Sequence, residues 1–166
     1  MAQLAAQTPT VTSSQPRYDL QVIWLSCHTA VVDIDWPAEF GRWLDRLEAE
    51  AAAGNQRSRT ILAFAARALD QLRNLADPPS EQTETATLRR VRQSRRHPLW
   101  RVSHGYHPEV AVRLICWFPP EAATVVVALF AADKAKLGDV FYDGVAARAD
   151  PMIDQWKRET GYEEKP

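Results

Sequence analysis

The sequence predicts an α+β fold, and three observations carry the prediction: two amphipathic helical stripes early in the chain, a run of closely spaced strand-like segments after them, and one further helical stripe at the end. With 166 residues the chain can bury one ordinary core and not two comfortable ones. Its 46% apolar and 25% charged content is that of an average globular domain, which sets aside both a fibrous and a wholly disordered chain.

Residues 1–16 are mainly Ala, Gln, Thr and Ser with two prolines and no periodicity, the composition of a flexible arm. Residues 18–26 (YDLQVIWLS) are rich in β-branched and aromatic side chains and predict a first, buried strand, after which residues 28–35 lead toward a turn. A helix is expected to start near Asp35-Trp36-Pro37, because Asp accepts hydrogen bonds from free N–H groups and Pro fits a first turn where its missing N–H costs nothing. Trp36, Phe40, Trp43 and Leu47 then share one stripe, and Gly54-Asn55 ends the helix. A second helix over residues 58–74 carries Leu62, Ala65, Ala66, Leu69 and Leu72 on its apolar stripe and turns Arg57, Arg59, Asp70 and Arg73 outward, so the two form a helical hairpin.

The polar, acidic, proline-containing connection over residues 77–85 breaks the helical pattern. Beyond it, residues 87–93, 99–103, 110–118 and 124–130 read as strands, separated by Pro98, by His104-Gly105-Tyr106-His107-Pro108 and by Pro119-Pro120-Glu121. Such close spacing predicts an antiparallel meander. Residues 138–160 place Val140, Phe141, Val145, Ala149, Ile153 and Trp156 at helical intervals, with Pro151 positioned to kink or split the last helix. The expected layout is an N-terminal strand, a helical hairpin, a curled antiparallel sheet of about four further strands and a C-terminal helix. It divides the chain into a flexible arm over 1–16, one domain over 17–160 and a flexible tail over 161–166.

The net charge of −1 conceals an asymmetry. Between residues 88 and 136 stand Arg89, Arg90, Arg92, Arg95, Arg96, Arg101, Arg113, Lys134 and Lys136, against only Glu109, Glu121 and Asp133. A cationic sheet segment suits a phosphate backbone or an acidic partner. Cys27 and Cys116 each sit in an apolar stretch and read as reduced, buried thiols of a cytoplasmic protein. No apolar run approaches the roughly 20 residues needed to span a bilayer, so no membrane partner is expected.

The stretch Leu99-Trp100-Arg101-Val102, then Val112-Arg113-Leu114-Ile115, then Val125-Val126-Val127-Ala128-Leu129-Phe130 with Asp133-Lys134, resembles the RelE/HigB-like toxins of bacterial toxin–antitoxin modules, of the RelE/ParE superfamily. The element order agrees with the family's strand, helical hairpin and curled sheet. The segment Gly138-Asp139-Val140-Phe141-Tyr142-Asp143 through Ala149-Asp150 looks like the C-terminal helix of a longer branch. This resemblance implies a toxin that inhibits translation as an mRNA endoribonuclease, acting at the ribosome and held inactive by a cognate antitoxin. The sequence departs from the family pattern after the last strand, where Ala131-Ala132-Asp133-Lys134-Ala135-Lys136 replaces a tighter lysine cluster. That departure favours the alternative, a non-catalytic binder on the same scaffold such as a gyrase-directed ParE-like toxin.

Metal-free RNA cleavage by attack of a 2′-OH on its own phosphate needs a base, positive charge on the developing pentavalent phosphate, and an acid for the leaving oxygen. Arg101, Arg113 and Lys134 lie on or at the end of three successive strands and are the candidates for charge stabilisation; Arg binds phosphate bidentately, Lys as a point charge. His104 and His107 flank Tyr106 in a strand–strand loop and are candidates for proton transfer, RNA contact or simple turn chemistry. Asp133 serves either as a base or to orient Lys134. Arg89, Arg90, Arg92, Arg95, Arg96 and Lys136 are candidate RNA contacts, while Tyr106 and Tyr142 are candidates to stack on a base. Trp36, Trp43, Trp100, Trp117 and Trp156 are assigned to packing, and His97 to structure. No phosphate-cradling glycine loop, zinc-spaced cysteine pair or His-Glu-x-x-His occurs, so neither a metal nor a small-molecule cofactor is expected.

Overall fold

The computed structural model describes residues 32–120, 122, 125–137 and 144–163, residues 136 and 137 by their backbone alone. The expected arm, the strand over 18–26, Cys27 and Tyr142 lie outside the described residues. Within them the chain runs β1 (Asp33–Asp35), α1 (Ala38–Ala52), α2 (Gln56–Arg73), a 3₁₀ turn (Glu81–Thr83), β2 (Leu88–Arg90), β3 (Leu99–Ser103), β4 (Val112–Trp117), β5 (Val125–Asp133), α3 (Lys134–Leu137) and α4 (Val145–Thr160). The fold is α+β, with an N-terminal strand, a helical hairpin, a sheet and a C-terminal helix.

The sheet has five strands in the order β1-β5-β4-β3-β2. β2 through β5 form the antiparallel meander, and β1 adds to the far edge parallel to β5, with Ile34 opposite Val126. Residues 33–35 are therefore a strand rather than the approach to a turn. Asp35 caps no helix: its carboxylate accepts from its neighbour Trp36 N–H at 2.8 Å and from the Trp156 indole N–H at 2.6 Å, tying β1 to α4. The N-cap position of α1 falls to Pro37, which has no side chain to offer.

Strand alternation sends side chains to two cores. On one face Trp100, Val102, Val112, Leu114, Cys116, Val126 and Ala128 pack with Phe40, Leu47, Ile61 and Leu72 of the helical hairpin. On the other, Leu99, Ile115, Trp117, Val127 and Leu129 pack with Val145, Ala149, Ile153 and Trp156 of α4. Both faces are covered over the middle of the sheet, which is why β4 and β5 read as nearly unbroken apolar runs. A register shift between Ile115 and Cys116 lets Leu129 stand as an extra residue in β5, between partners Ala128 and Phe130.

The hairpin itself follows from local chemistry. Gly54 takes φ 96° after α1, a left-handed conformation that suits glycine, and the Asn55 side chain accepts from Ser58 N–H to cap α2. Phe40 and Leu47 of the predicted first stripe are buried, whereas Trp36, at 39% exposure, lies tilted against the Phe40 ring at the rim. α4 stays a single helix across Pro151. Pro151 sits on its exposed side, four residues after the exposed Ala147, so the carbonyl that loses its donor faces solvent. The packed domain also reaches past residue 160: Tyr162 packs edge-on to Trp117 at 5.9 Å and against Trp156 at 5.5 Å.

Candidate nucleic-acid interface

Three of the predicted cations come together on the α4 side of the sheet. Val112 and Leu114 belong to the hairpin-side core, so Arg113 between them turns to the opposite face, and the same alternation turns Arg101 between Trp100 and Val102. Arg89 stands directly opposite Arg101 in the β2–β3 ladder, and Arg113 directly opposite Ser103, two residues along β3 from Arg101. The result is a stripe of guanidinium groups across three adjacent strands. Like charges directly opposed across strands repel, a cost that a bound anion would relieve; the Arg89 Nε itself donates to the Thr85 carbonyl at 3.3 Å. Arg113 is half-buried; one of its terminal nitrogens donates to the Val112 carbonyl at 2.9 Å, while its buried Nε has no hydrogen-bond partner in the protein.

Phe130 continues the Arg101–Ile115 row on β5, and the Arg148 guanidinium of α4 lies over its ring at 4.1 Å while also pairing with Glu39 of α1. Arg148 was not anticipated from sequence. It reaches this row only because α4 docks on β5, a long-range event without a local signature.

The rest of the arginine-rich run is mostly engaged with acids. Arg90 faces Glu81 at 3.7 Å and Arg92 faces Glu84 at 3.6 Å; Arg96 grips Asp154 of α4 with two bonds of 2.8 and 2.7 Å. The Arg96 hydrogen bond holds the Asp154 carboxyl below its usual range. Arg95 is exposed. Arg89, Arg90, Arg92 and Arg101 nonetheless line one shallow pocket of about 270 Å³ with Glu84 at the β2 edge.

The residues expected to move protons lie elsewhere. His104 and Asp133 belong to the hairpin side, at the β3–β4 end of the sheet. The His104 ring stacks flat on Phe64 of α2, with centroids 3.5 Å apart and 7° between planes. Its Nε2 accepts from Val112 N–H at 2.9 Å, which fixes the neutral tautomer with the proton on Nδ1, donated to the Gly105 carbonyl at 2.6 Å. Burial pushes this imidazole below its ordinary value; the Gly105 hydrogen bond opposes, the charges of Arg113 and His107 reinforce, and Asp133 opposes. Both ring nitrogens are thus committed to backbone. His107 is similar: its Nδ1 accepts from Glu109 and Val110 N–H groups at 3.3 and 3.2 Å, and its ring meets Phe64 edge-on.

Asp133 closes β5. One carboxylate oxygen accepts from Ala111 N–H at 2.8 Å and Ala135 N–H at 3.0 Å, and the other pairs with Arg57 of α2. Arg57 therefore does not point outward as the helical pattern predicts: the Asp133 anion draws it in. Lys134 follows at the first turn of α3, its N–H bonded to the Ala111 carbonyl at 2.8 Å, and Lys136 lies in the same short helix. Asp133 acts here as the clamp that fixes the turn carrying Lys134. Cys116 is fully buried in the hairpin-side core, and burial pushes its thiol far up, away from nucleophilic chemistry.

A second feature lies on the hairpin side of the sheet. Phe64, Arg67 and Gln71 of α2, Thr87 before β2, and His104 and Tyr106 of the β3–β4 loop wall an open groove of about 440 Å³. The Tyr106 ring is 96% exposed at its rim. Ser103 also lines this groove, its N–H donated to the Thr87 carbonyl at 2.7 Å.

Among the described residues no helix is long and apolar enough to cross a membrane. Comparison with protein-family models, with curated proteins and with solved structures found no match.

Proposed function

We propose that this chain is a RelE/HigB-like toxin of a toxin–antitoxin module, a cytoplasmic mRNA endoribonuclease that uses the α4 face of its sheet against RNA. The observation that carries the reading is the stripe of Arg89, Arg101 and Arg113 across three adjacent strands. Guanidinium groups spaced along a rigid sheet suit successive phosphates, since each can pair with two phosphate oxygens at once. In cleavage these cations would take up charge as the 2′-oxygen attacks and the phosphate becomes pentavalent, a contribution that needs no metal. The cognate antitoxin would silence the toxin by laying acidic residues over the same face, and the ribosome would present the mRNA.

A second reading, binding without cutting, is favoured by a specific observation: both His104 nitrogens and the Asp133 carboxylate are already engaged by backbone and Arg57. Induction of the wild-type chain in cells, followed by mapping of transcript 5′ ends, separates the two. Cleavage predicts new 5′ ends that disappear in an Arg113→Ala variant. Growth arrest with unchanged transcripts would establish the binder and overturn the nuclease.

A further inference from the structure

One row of residues crosses the α4 face of the sheet with a cation at each end. From β2 to β5 it runs Arg89, Arg101, Ile115, Phe130, each directly opposite the next. Ile115 and Phe130 are buried, and the far end is closed by Arg148 of α4, whose guanidinium lies over the Phe130 ring. Arg113 stands on β4 two residues before Ile115, on the same face. Each of the strands β2 to β5 therefore presents one cation on this face, the last of them borrowed from α4.

Two contacts of different kinds hold Arg148. The Phe130 ring attracts the guanidinium through its π face, which sets its position without engaging its N–H donors along their own plane. Glu39, in the first turn of α1 on the opposite side of the sheet, accepts from one terminal nitrogen through one carboxylate oxygen. The two side chains are 45% and 49% exposed, so the pair is weak and screened by salt. Arg96 on the same helix layer differs: Asp154 grips it with both oxygens.

We propose that Arg148 is a further phosphate-binding residue of this face and that Glu39 is its built-in competitor, an acidic side chain that occupies the guanidinium until an RNA phosphate displaces it. The inference rests on the RNA reading above and adds to it the regulation of that face, since binding there breaks a bond between α1 and α4. A phosphate offers two oxygens to the planar fork that Glu39 meets with one. Phe130 keeps the guanidinium in place while its anionic partner is exchanged.

The test titrates a single-stranded RNA decamer of mixed sequence into the full chain at several salt concentrations. Glu39→Gln, which keeps the side chain's shape and removes its charge, should tighten binding about threefold at low salt. Arg148→Ala should weaken it about fivefold and remove about 0.7 from the slope of log affinity against log salt, the share of one phosphate contact. In Glu39→Gln/Arg148→Ala the gain from Glu39→Gln should vanish, because no guanidinium is left to release. Both side chains are half-exposed, so the substitutions leave the two cores intact. An equal gain in the double variant relative to Arg148→Ala would show that Glu39 acts only as a negative charge near the RNA, and would overturn the competitor. Wild-type affinity in both single variants of a chain that binds RNA would overturn the inference alone and reduce the pair to a staple between α1 and α4. Failure of the wild type to bind the decamer would overturn the RNA reading itself.

Discussion

His104 illustrates how a residue picked for its titration can owe its place to not titrating. Accepting the Val112 N–H requires the neutral ring, and protonation would break that bond against a flat Phe64 partner. Its folded-state value is depressed below the ordinary 6.5, so the folded form binds fewer protons than the unfolded one. The stabilisation is therefore present in full above about pH 6.5 and fades as pH falls toward the depressed value. Urea midpoints at pH 7 and pH 5 should show a smaller loss for His104→Gln than for the wild type; parallel losses would contradict the assignment. The sequence made His104 visible as a loop histidine between strands. Its commitment was not legible, because it depends on Phe64, forty residues away, arriving beneath the ring. Arg101 and Arg113 were legible for the opposite reason: each sits between two apolar neighbours on a strand, and alternation alone assigns their face.

At the scale of elements, the antiparallel meander was readable because β3, β4 and β5 each carry an apolar run bounded by Pro or Gly. The parallel pairing of β1 was not. Asp-Ile-Asp is three residues long, polar at both ends, and gains its place from distant partners: β5 beside it, Trp156 bonded to Asp35, and the hairpin-side core against which Ile34 packs. The same dependence on distant partners governs Asp133, which joins α2, the start of β4 and α3 through Arg57, Ala111 and Ala135. Asp133 is 8% exposed while Arg57 is 34% exposed, so breaking the pair should cost less than a fully buried one. Asp133→Asn is expected to lower stability by about 2 kcal/mol, and Arg57→Gln in the same chain to restore part of it. Chemical denaturation of the two single variants and the double variant measures the coupling. An Asp133→Asn variant of unchanged stability would show that the clamp is dispensable.

The whole molecule divides its chemistry between the two faces of one sheet. On the hairpin side His104 and Asp133 hold the strand ends through bonds to backbone and to Arg57. The α4 side gathers Arg89, Arg101 and Arg113 beside Arg148. Within the arginine run, sequence position gave no way to tell Arg89 from Arg90: one residue of register sends them to opposite faces, and Glu81 and Glu84 then engage Arg90 and Arg92. What the fold adds to the composition is thus a placement of cations: Arg89, Arg101 and Arg113 fall on three adjacent strands of one face, the arrangement on which the proposed phosphate track rests.

The salt dependence of RNA binding tests this central claim most directly, because each phosphate neutralised contributes about −0.7 to the slope of log affinity against log salt for a single strand. The wild-type chain should bind a single-stranded RNA with a steep negative slope. Arg89→Ala/Arg101→Ala/Arg113→Ala, with its fold checked by circular dichroism, should lose about 2 units of that slope along with most of its affinity. An unchanged slope and affinity in the folded triple variant would contradict the account.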